Sequence, residues 1–460
     1  MTAAGALGRR VGTAGRPFGA SSSAAAAAAA AATPQMLHQR TTRRCHSSPA
    51  PSTSKATVTL ASPTVSEWPS FLKPRLAELR TNIIDQLAGR DRIPAFMRMR
   101  QAAIESGDSA VAAAPTMERM ARLYFERGGK LFRPTIAMLM ASACNQEVLA
   151  RGAHGRSSAA AAASVTSMAN LQQLQQHDDD DISQRQAAIA MIAEMIHVAS
   201  LVHDDVIDEA STRRGAPSVN GYWGNKMAVL AGDFILARAT QALCRIGDAR
   251  VIATMAKIIE DLVVGEFLQM SPELSPDGNE QTTNFKDQRS SPVHSSLSDR
   301  LTLYISKSEA KTASLFENSC RSVAMLADAS DVDLHSLAAA YGRHVGLAFQ
   351  LIDDAIDYEL EGEEDSDAAG KPIAVDLEQG LITGPLLLAV SSESELASLL
   401  RTSPAAIREA VRRSGACERT RELAATHART AAEIATSLRS SNGAGDALAN
   451  LALKQLERRS

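Results

Sequence analysis

The 460-residue chain has few aromatic residues, few cysteines and no long apolar run. Aromatic residues make up 4% of the sequence although apolar residues reach 45%, a balance that favours helices over β-sandwiches, whose strands are rich in aromatic and β-branched residues. None of the five cysteines belongs to a C-x-x-C pair, which excludes a zinc ribbon and gives no support to a disulfide scaffold. Because no window contains about eighteen consecutive apolar residues, we expect the chain not to be an integral membrane protein.

Acidic residues are absent from the first 66 positions, which carry six arginines and one lysine among many serines and alanines. Such a composition is typical of an organelle transit peptide, most often mitochondrial, with a plastid as the alternative. We therefore predict a transit peptide or disordered tail over residues 1–67. Removing those seven cations from the net charge of −4 leaves −11 for the rest of the chain. This acidic body argues against nucleic acid as a partner, since phosphate backbones bind basic surfaces.

Apolar residues recur at helical spacing from Trp68 onwards, in segments longer than a typical strand. Residues 150–184 and 271–300 break this pattern with Ala/Ser repeats and with Ser, Pro, Asp, Asn and Gln. Both read as low-complexity loop insertions, because they cannot bury enough apolar surface to offset the entropy of ordering. The sequence thus predicts one all-α domain over residues 68–460 with two surface insertions.

The segment HVASLVHDDVIDEASTRRG begins with mostly apolar residues and continues into an acidic cluster. At 100° per residue, His197, Asp204 and Asp208 share one helix face. Two carboxylates about 4 Å apart repel by about 4 kcal/mol at an effective dielectric of 20, and a divalent cation relieves that repulsion. Carboxylate oxygens without cysteine favour Mg²⁺. The alternative is a polar helix end that runs into solvent.

A second acidic cluster, LIDDAIDY, follows about 150 residues later and contains Asp353, Asp354 and Asp357. Gln350 lies one turn before Asp354. Two helices that present such clusters to each other can hold several metal ions, and a diphosphate is the ligand that needs several divalent ions at once. Four cations lie near the first cluster or upstream of it, in RRG and GGKLFRP, and suit phosphate oxygens: Lys130, Arg133, Arg213 and Arg214.

The motifs GGKxxRP, DDxxD followed by RRG, KTA and FQLIDDxxDY, in this order, resemble the trans-polyprenyl diphosphate synthase family over residues 128–387. The segment GKPIAVDLEQGLITGP is similar to the mitochondrial long-chain branch, which makes the solanesyl or decaprenyl side chain of ubiquinone. Many relatives have a second lysine here, in an E-G-K-x-T pattern, where this chain has Gln379-Gly380-Leu381.

The resemblance implies an all-α bundle of long helices around a central cavity, of the isoprenoid synthase type. It implies a Mg²⁺-dependent prenyltransferase that condenses isopentenyl diphosphate onto an allylic diphosphate. The catalytic set implied is the six aspartates Asp204, Asp205, Asp208, Asp353, Asp354 and Asp357. The ligands of two or three Mg²⁺ ions are Asp204, Asp208 and Asp353. The contacts to isopentenyl diphosphate are Lys130, Arg133, His197 and Arg214. The contacts to the allylic diphosphate are Arg213, Lys311, Thr312, Gln350 and Lys371.

Small residues precede the first cluster, at Ala199 and Ser200. Bulky aromatic residues near these positions close the product tunnel in short-chain relatives, so the small side chains favour a long product. By resemblance we also expect a homodimer or a heteromer with a related subunit, and peripheral membrane contact because the product is lipid-like. The alternatives are a class I terpene cyclase and a non-catalytic partner subunit of a synthase.

Overall fold

The segments with helical spacing form helices in a computed structural model of the chain, which describes residues 69, 71–88, 117–126, 131–155, 182–213, 216–269, 296–359 and 381–458. The helices of its N-terminal half are α1 Leu72–Ala88, α2 Met117–Glu126, α3 Phe132–Gly155, α4 Gln184–Ile207, α5 Val219–Trp223, α6 Asn225–Ile246 and α7 Ala249–Gln269. Those of its C-terminal half are α8 Leu297–Ser308, α9 Ser314–Ala327, α10 Val332–Glu359, α11 Gly384–Ala389, α12 Glu393–Leu399, α13 Pro404–Arg413, α14 Ala416–Ser437 and α15 Ala444–Lys454.

Irregular turns complete these elements. A π-helical turn, Glu309–Ala313, joins α8 to α9, and a 3₁₀ turn, Gln455–Glu457, follows α15. The strands in the described residues are β1, Thr212–Arg213, and β2, Ala216–Pro217, an antiparallel pair in the loop after α4. The prediction of an all-α fold is confirmed.

The structure describes helical residues at the edges of both predicted insertions. Residues 150–155 continue α3, where Arg151 pairs with Glu147 one turn earlier. Helix α4 starts with a capping box in which the Ser183 hydroxyl accepts from the backbone N–H of Gln186. A second box, at Ser296, starts α8 inside the other predicted insertion. Local pairing and capping thus order residues that composition assigns to loops. The central parts of both insertions and the predicted transit peptide lie outside the described residues.

The long helix α10 packs between α9 and α14, while α4 packs against α3, α6 and α9. Close approach of α9 and α10 depends on glycine, because a Cβ on Gly342 would collide with the carbonyl of Phe316, and one on Gly346 with Ala313. This contact brings the π-helical turn next to the middle of α10. Tyr304 and Tyr341 are fully buried, and a buried side chain of this size contributes about 1.5–3 kcal/mol.

Among the helices that the structure describes, α4 and α6 are long and apolar enough by length and composition to cross a membrane. This criterion uses mean hydropathy, which tolerates a few polar residues, whereas the expectation from the sequence rests on uninterrupted apolar runs. In α4, 61% of the relevant window is buried inside the protein, as in the core helix of a folded bundle. In α6 the buried share is 39%, which leaves apolar side chains on its outer face.

Candidate active site

A cavity of about 530 Å³ lies among α4, α7, α8, α10 and the π-helical turn. Its polar lining contains five acids and three cations: Asp204, Asp208, Glu266, Asp353, Asp354, Arg133, Lys307 and Lys311. Its apolar lining comes mainly from α4, α6 and α7: Ile196, Leu201, Ile207, Leu236, Ile259, Leu262, Val263 and Phe267. The cavity therefore offers charged groups and an apolar wall to one ligand.

Asp204 and Asp208 lie at the C-terminal end of α4, as their spacing predicts, and both line the cavity. Burial raises the pKa of Asp204 to about 6, and the negative charges of Glu266 and Asp208 act in the same direction against the cation of Lys311. Burial also raises the pKa of Asp208. The helix dipole places further negative charge at this end. Without a counter-ion, the negative charges at these carboxylates repel one another. Hard oxygen ligands of this kind fit a divalent cation.

Asp205 points away from the cavity. It is 1% exposed and accepts a hydrogen bond from the Tyr124 hydroxyl and bonds from Arg213, at 2.8 Å to Nε and 2.7 Å to Nη2. Asn220 Nδ2 donates to its backbone oxygen at 3.0 Å. Neither Asp205 nor Arg213 lines the cavity. The Arg213 pair ties the loop after α4 to that helix, and the Tyr124 hydrogen bond ties α4 to α2. Both predicted residues therefore lie outside the cavity lining, although the charge of Arg213 still acts to lower the pKa of Asp204.

The second acidic cluster lies on α10. Asp354 is 5% exposed, and its two oxygens accept hydrogen bonds from the Tyr304 hydroxyl at 2.6 Å and from Gln350 Nε2 at 2.7 Å. Asp353 accepts from Arg458 Nη2 at 2.6 Å. Both aspartates line the cavity, whereas Asp357 is buried beside it. The protein holds Asp354 with two neutral donors, and it balances the charge of Asp353 with an arginine.

The π-helical turn projects Lys311 and Thr312 into the cavity. Such turns widen a helix locally and are frequent at functional sites. Lys311 Nζ lies 2.5 Å from Glu266 Oε2 and donates to Gln269 Oε1 at 3.1 Å. A Cβ on Gly265 would collide with the lysine stem, so glycine at this position makes room for it.

Thr312 completes a hydrogen-bonded chain across the cavity. Its hydroxyl donates to Gln350 Oε1 at 2.6 Å, and the amide of that glutamine donates in turn to Asp354. Because each hydroxyl and amide in the chain has a partner, its side chains are held in fixed orientations.

Arg133 and His197 meet on another wall of the cavity, with Arg133 Nη1 3.0 Å from His197 Nε2. The guanidinium lies over the rings of Phe316 and Phe349, at 5.3 and 5.8 Å from their centroids. Since an arginine only donates, His197 Nε2 accepts and the imidazole carries its proton on Nδ1. The other predicted cations, Lys130, Arg214 and Lys371, lie outside the described residues.

Five residues of this region escape the sequence analysis: Glu266, Gln269, Tyr304, Lys307 and Arg458. Four of them contact a predicted residue that is at least 40 positions away in the sequence. The fifth, Lys307, lies one helical turn before the predicted Lys311. The spacing GEFLQ on α7 puts Glu266 and Gln269 on one face, but a single acid on a helix is usually solvated. Ala199 is fully buried outside the lining, whereas Ser200 lines the cavity.

The sequence model of the polyprenyl synthetase family matches residues 114–413. The chain belongs to this family, as its motifs predict. It is 42% identical over 284 residues to the all trans-polyprenyl-diphosphate synthase PDSS1 of Homo sapiens, covering 62% of this chain and 55% of that protein, or about half of the relative's length. It is 40% identical over 367 residues to the probable mitochondrial hexaprenyl pyrophosphate synthase of Neurospora crassa, covering 75% and 76%.

Solved structures share the fold. The polyprenyl synthase from Caulobacter crescentus CB15, complexed with calcium and isoprenyl diphosphate, aligns with a TM-score of 0.61 and 24% identity over 87% of this chain and 99% of that one. A decaprenyl diphosphate synthase from Rhodobacter capsulatus aligns with a TM-score of 0.59 and 22% identity over 85% and 98%. The predicted isoprenoid synthase-type bundle is confirmed.

Proposed function

We propose that this protein is a long-chain trans-polyprenyl diphosphate synthase, a Mg²⁺-dependent prenyltransferase that condenses isopentenyl diphosphate onto an allylic diphosphate. The observation that carries the proposal is one cavity in which two acidic clusters, on α4 and α10, meet Lys311 and Arg133 beside an apolar wall. Membership of the polyprenyl synthetase family supports it, as do relatives named as solanesyl, hexaprenyl and decaprenyl synthases.

Two or three Mg²⁺ ions would be held by Asp204 and Asp208 on one side and by Asp353 on the other. The fit rests on the charge strain at Asp204, whose pKa is raised to about 6 without a counter-ion. When bound, Mg²⁺ neutralises charge that develops on the departing diphosphate. Asp354, with both oxygens occupied by Tyr304 and Gln350, orients these side chains.

The residues of the chain then divide the work between two diphosphates. The allylic diphosphate is held by Lys311, Thr312 and Gln350. Because these side chains are already in place, they stabilise the negative charge that develops on the diphosphate as the allylic C–O bond breaks. Arg133 and His197 hold isopentenyl diphosphate, whose double bond attacks the allylic cation and forms the new C–C bond. A proton leaves the adduct, with the released diphosphate as its acceptor. No protein nucleophile is required.

The growing chain follows the apolar wall formed by α4, α6 and α7. Ser200 lies on this wall, and its hydroxyl donates to the carbonyl of His197 at 2.9 Å, so it presents no unsatisfied polar group. A small side chain one turn from Asp204 leaves room for a long product, of solanesyl or decaprenyl length. Such a product suits the ubiquinone side chain. The names of the relatives and the acid-free N-terminus favour a mitochondrial location, with a plastid as the alternative.

The outer faces of α6 and α7 supply a surface for pairing with a second copy or a related subunit. Val229, Leu230 and Val264 are 41–48% exposed there, and adjacent apolar residues of this kind mark association surfaces. Light scattering of the full chain should give a dimer or a larger species, and Val264→Glu should shift it to monomer. A variant with an unchanged mass would mean that the interface lies elsewhere. Sedimentation of Val264→Glu with liposomes tests peripheral membrane contact separately.

The decisive experiment incubates the full chain with farnesyl or geranylgeranyl diphosphate, radiolabelled isopentenyl diphosphate and Mg²⁺. The proposal expects labelled long-chain polyprenyl diphosphate, resolved by chromatography after removal of the diphosphate. Release of a hydrocarbon would identify a terpene cyclase instead. No elongation, alone or with a related subunit, would identify a non-catalytic chain.

A further inference from the structure

Lys307 is a buried lysine that lines the cavity but has no place in the mechanism above. Its exposure is 8%. It lies on the last turn of α8, four residues before Lys311. We infer that Lys307 is a further diphosphate-binding residue, which completes with Lys311 the cationic side of the allylic subsite; this inference rests on the proposed function.

The position of Lys307 places its ammonium beside the second acidic cluster. Its Nζ lies 5.8 Å from the centroid of the Tyr304 ring, and the hydroxyl of that tyrosine donates to Asp354. Ser308, Lys311 and Thr312, which follow along the same turn, also line the cavity. Lys307 and Lys311 therefore flank the space between the α4 and α10 acids, where the bridging diphosphate is proposed to bind.

A diphosphate bound in this cavity needs more positive charge than Lys311 alone offers. Lys311 is engaged by Glu266 at 2.5 Å and by Gln269, so part of its charge is already balanced on α7. A diphosphate carries several negative charges, and lysines bind phosphate oxygens as compact point charges. A second ammonium one turn away supplies the donor that Lys311 alone does not.

Of the segment that precedes α11 the structure describes residues 381–383, and none of these three is a cation. Leu381 and Thr383 line the same cavity just before α11, and a Cβ on Gly384 would lie 2.9 Å from the Tyr304 ring. The segment therefore packs on the ring that lies beneath Lys307. Leu381 occupies the position at which the E-G-K-x-T pattern has its lysine, so in this chain the cation reaches the region from α8.

The test replaces Lys307 with Met, which removes the charge and keeps much of the stem, with Lys307→Arg as the charge-retaining variant. The matched control is Lys257→Met on α7, a half-exposed lysine outside the cavity lining. Binding of inorganic diphosphate with Mg²⁺ is measured by calorimetry, and steady-state kinetics give KM for each substrate. Losing one charge-assisted hydrogen bond weakens binding about 10- to 100-fold.

We expect Lys307→Met to weaken diphosphate binding and to raise the KM of the allylic substrate by that factor, with the KM of isopentenyl diphosphate within about twofold of wild type. Lys307→Arg should keep most of the affinity, and adding Leu381→Lys to Lys307→Met should restore part of it. Unchanged diphosphate affinity, or equal rises in both KM values, would overturn the inference. If the Met variant does not fold, Lys307→Gln carries the same test.

Failure of the two proposals can be told apart. A wild-type chain that binds diphosphate through Lys307 but never elongates an allylic substrate would refute the synthase and keep the binding residue. A chain that elongates normally while Lys307→Met retains wild-type affinity for inorganic diphosphate would refute the role of Lys307 and keep the synthase.

Discussion

Replacing Asp204 with asparagine should abolish turnover and at the same time stabilise the empty protein. Burial gives this carboxyl a pKa of about 6, against 3.8 for an ordinary aspartate. At 1.36 kcal/mol per pH unit, ionising it costs the fold about 3 kcal/mol well above pH 6. Burial of the replacement amide and residual solvent screening reduce the expected gain to about 1–2 kcal/mol.

The sign of the pH dependence follows from the raised pKa. The folded state binds this proton more tightly than the unfolded state, so the stability is fully present below about pH 3.8 and is lost as the pH rises through about 6. Wild type and Asp204→Asn should therefore unfold alike near pH 4. The gap should open between pH 4 and 6 and reach its full size above pH 7.

Urea denaturation without divalent ions, at several pH values from 4 to 8, measures this gap. Glu433→Gln is the matched control, because this acid is exposed on α14, outside the cavity lining. Addition of Mg²⁺ and inorganic diphosphate should stabilise wild type more than the variant, since ligand binding to the native state adds stability. A variant less stable than wild type at pH 7.5 would mean that Asp204 holds the fold together, and would refute the electrostatic argument.

Three further outcomes are expected. Ser200→Phe should shorten the product seen by chromatography, because the ring would enter the apolar wall; an unchanged chain length would move the product path. Gly265→Ala should lower kcat/KM for the allylic substrate about 10- to 100-fold by displacing Lys311, and wild-type kinetics would show that the lysine relaxes freely. Although burial acts to raise it, hydrogen bonds from Arg439 and Arg151 hold the pKa of Glu147 at about 2. Glu147→Gln should thus cost about 2–3 kcal/mol at pH 7, a gap that closes as the pH falls from about 4.5 to 2; a gap independent of pH would refute the linkage.

The sequence predicts those parts of the site that follow from helical geometry. Asp204 and Asp208 are four residues apart in an apolar helix, so their common face and their exposure to the cavity could be inferred. The same geometry turns Asp205 by about 100°, and the structure places it in the core with Tyr124. The assignment of Asp205 to the catalytic set and of Arg213 to the allylic diphosphate stays a prediction, since helical geometry alone does not show which partner each side chain takes.

The parts that sequence reasoning missed depend on contacts between distant elements. Glu266 meets Lys311 across 45 positions of sequence, and Arg458 meets Asp353 across 105. Periodicity shows which face of a helix is apolar, but it does not show which neighbour that helix will face. Lys307 is a similar case, because the cavity that it lines is formed by helices distant in sequence.

The arginine at position 458 has a consequence for metal binding at Asp353. The guanidinium of Arg458 balances the charge of Asp353. The backbone carbonyl of Arg458 accepts a hydrogen bond from Arg421, which also donates to Glu359. A cation that arrives at Asp353 has to displace that guanidinium, which stays tethered over Phe349, 4.3 Å from the ring centroid. Replacing Arg458 with Met would therefore alter apparent magnesium affinity without changing a single aspartate.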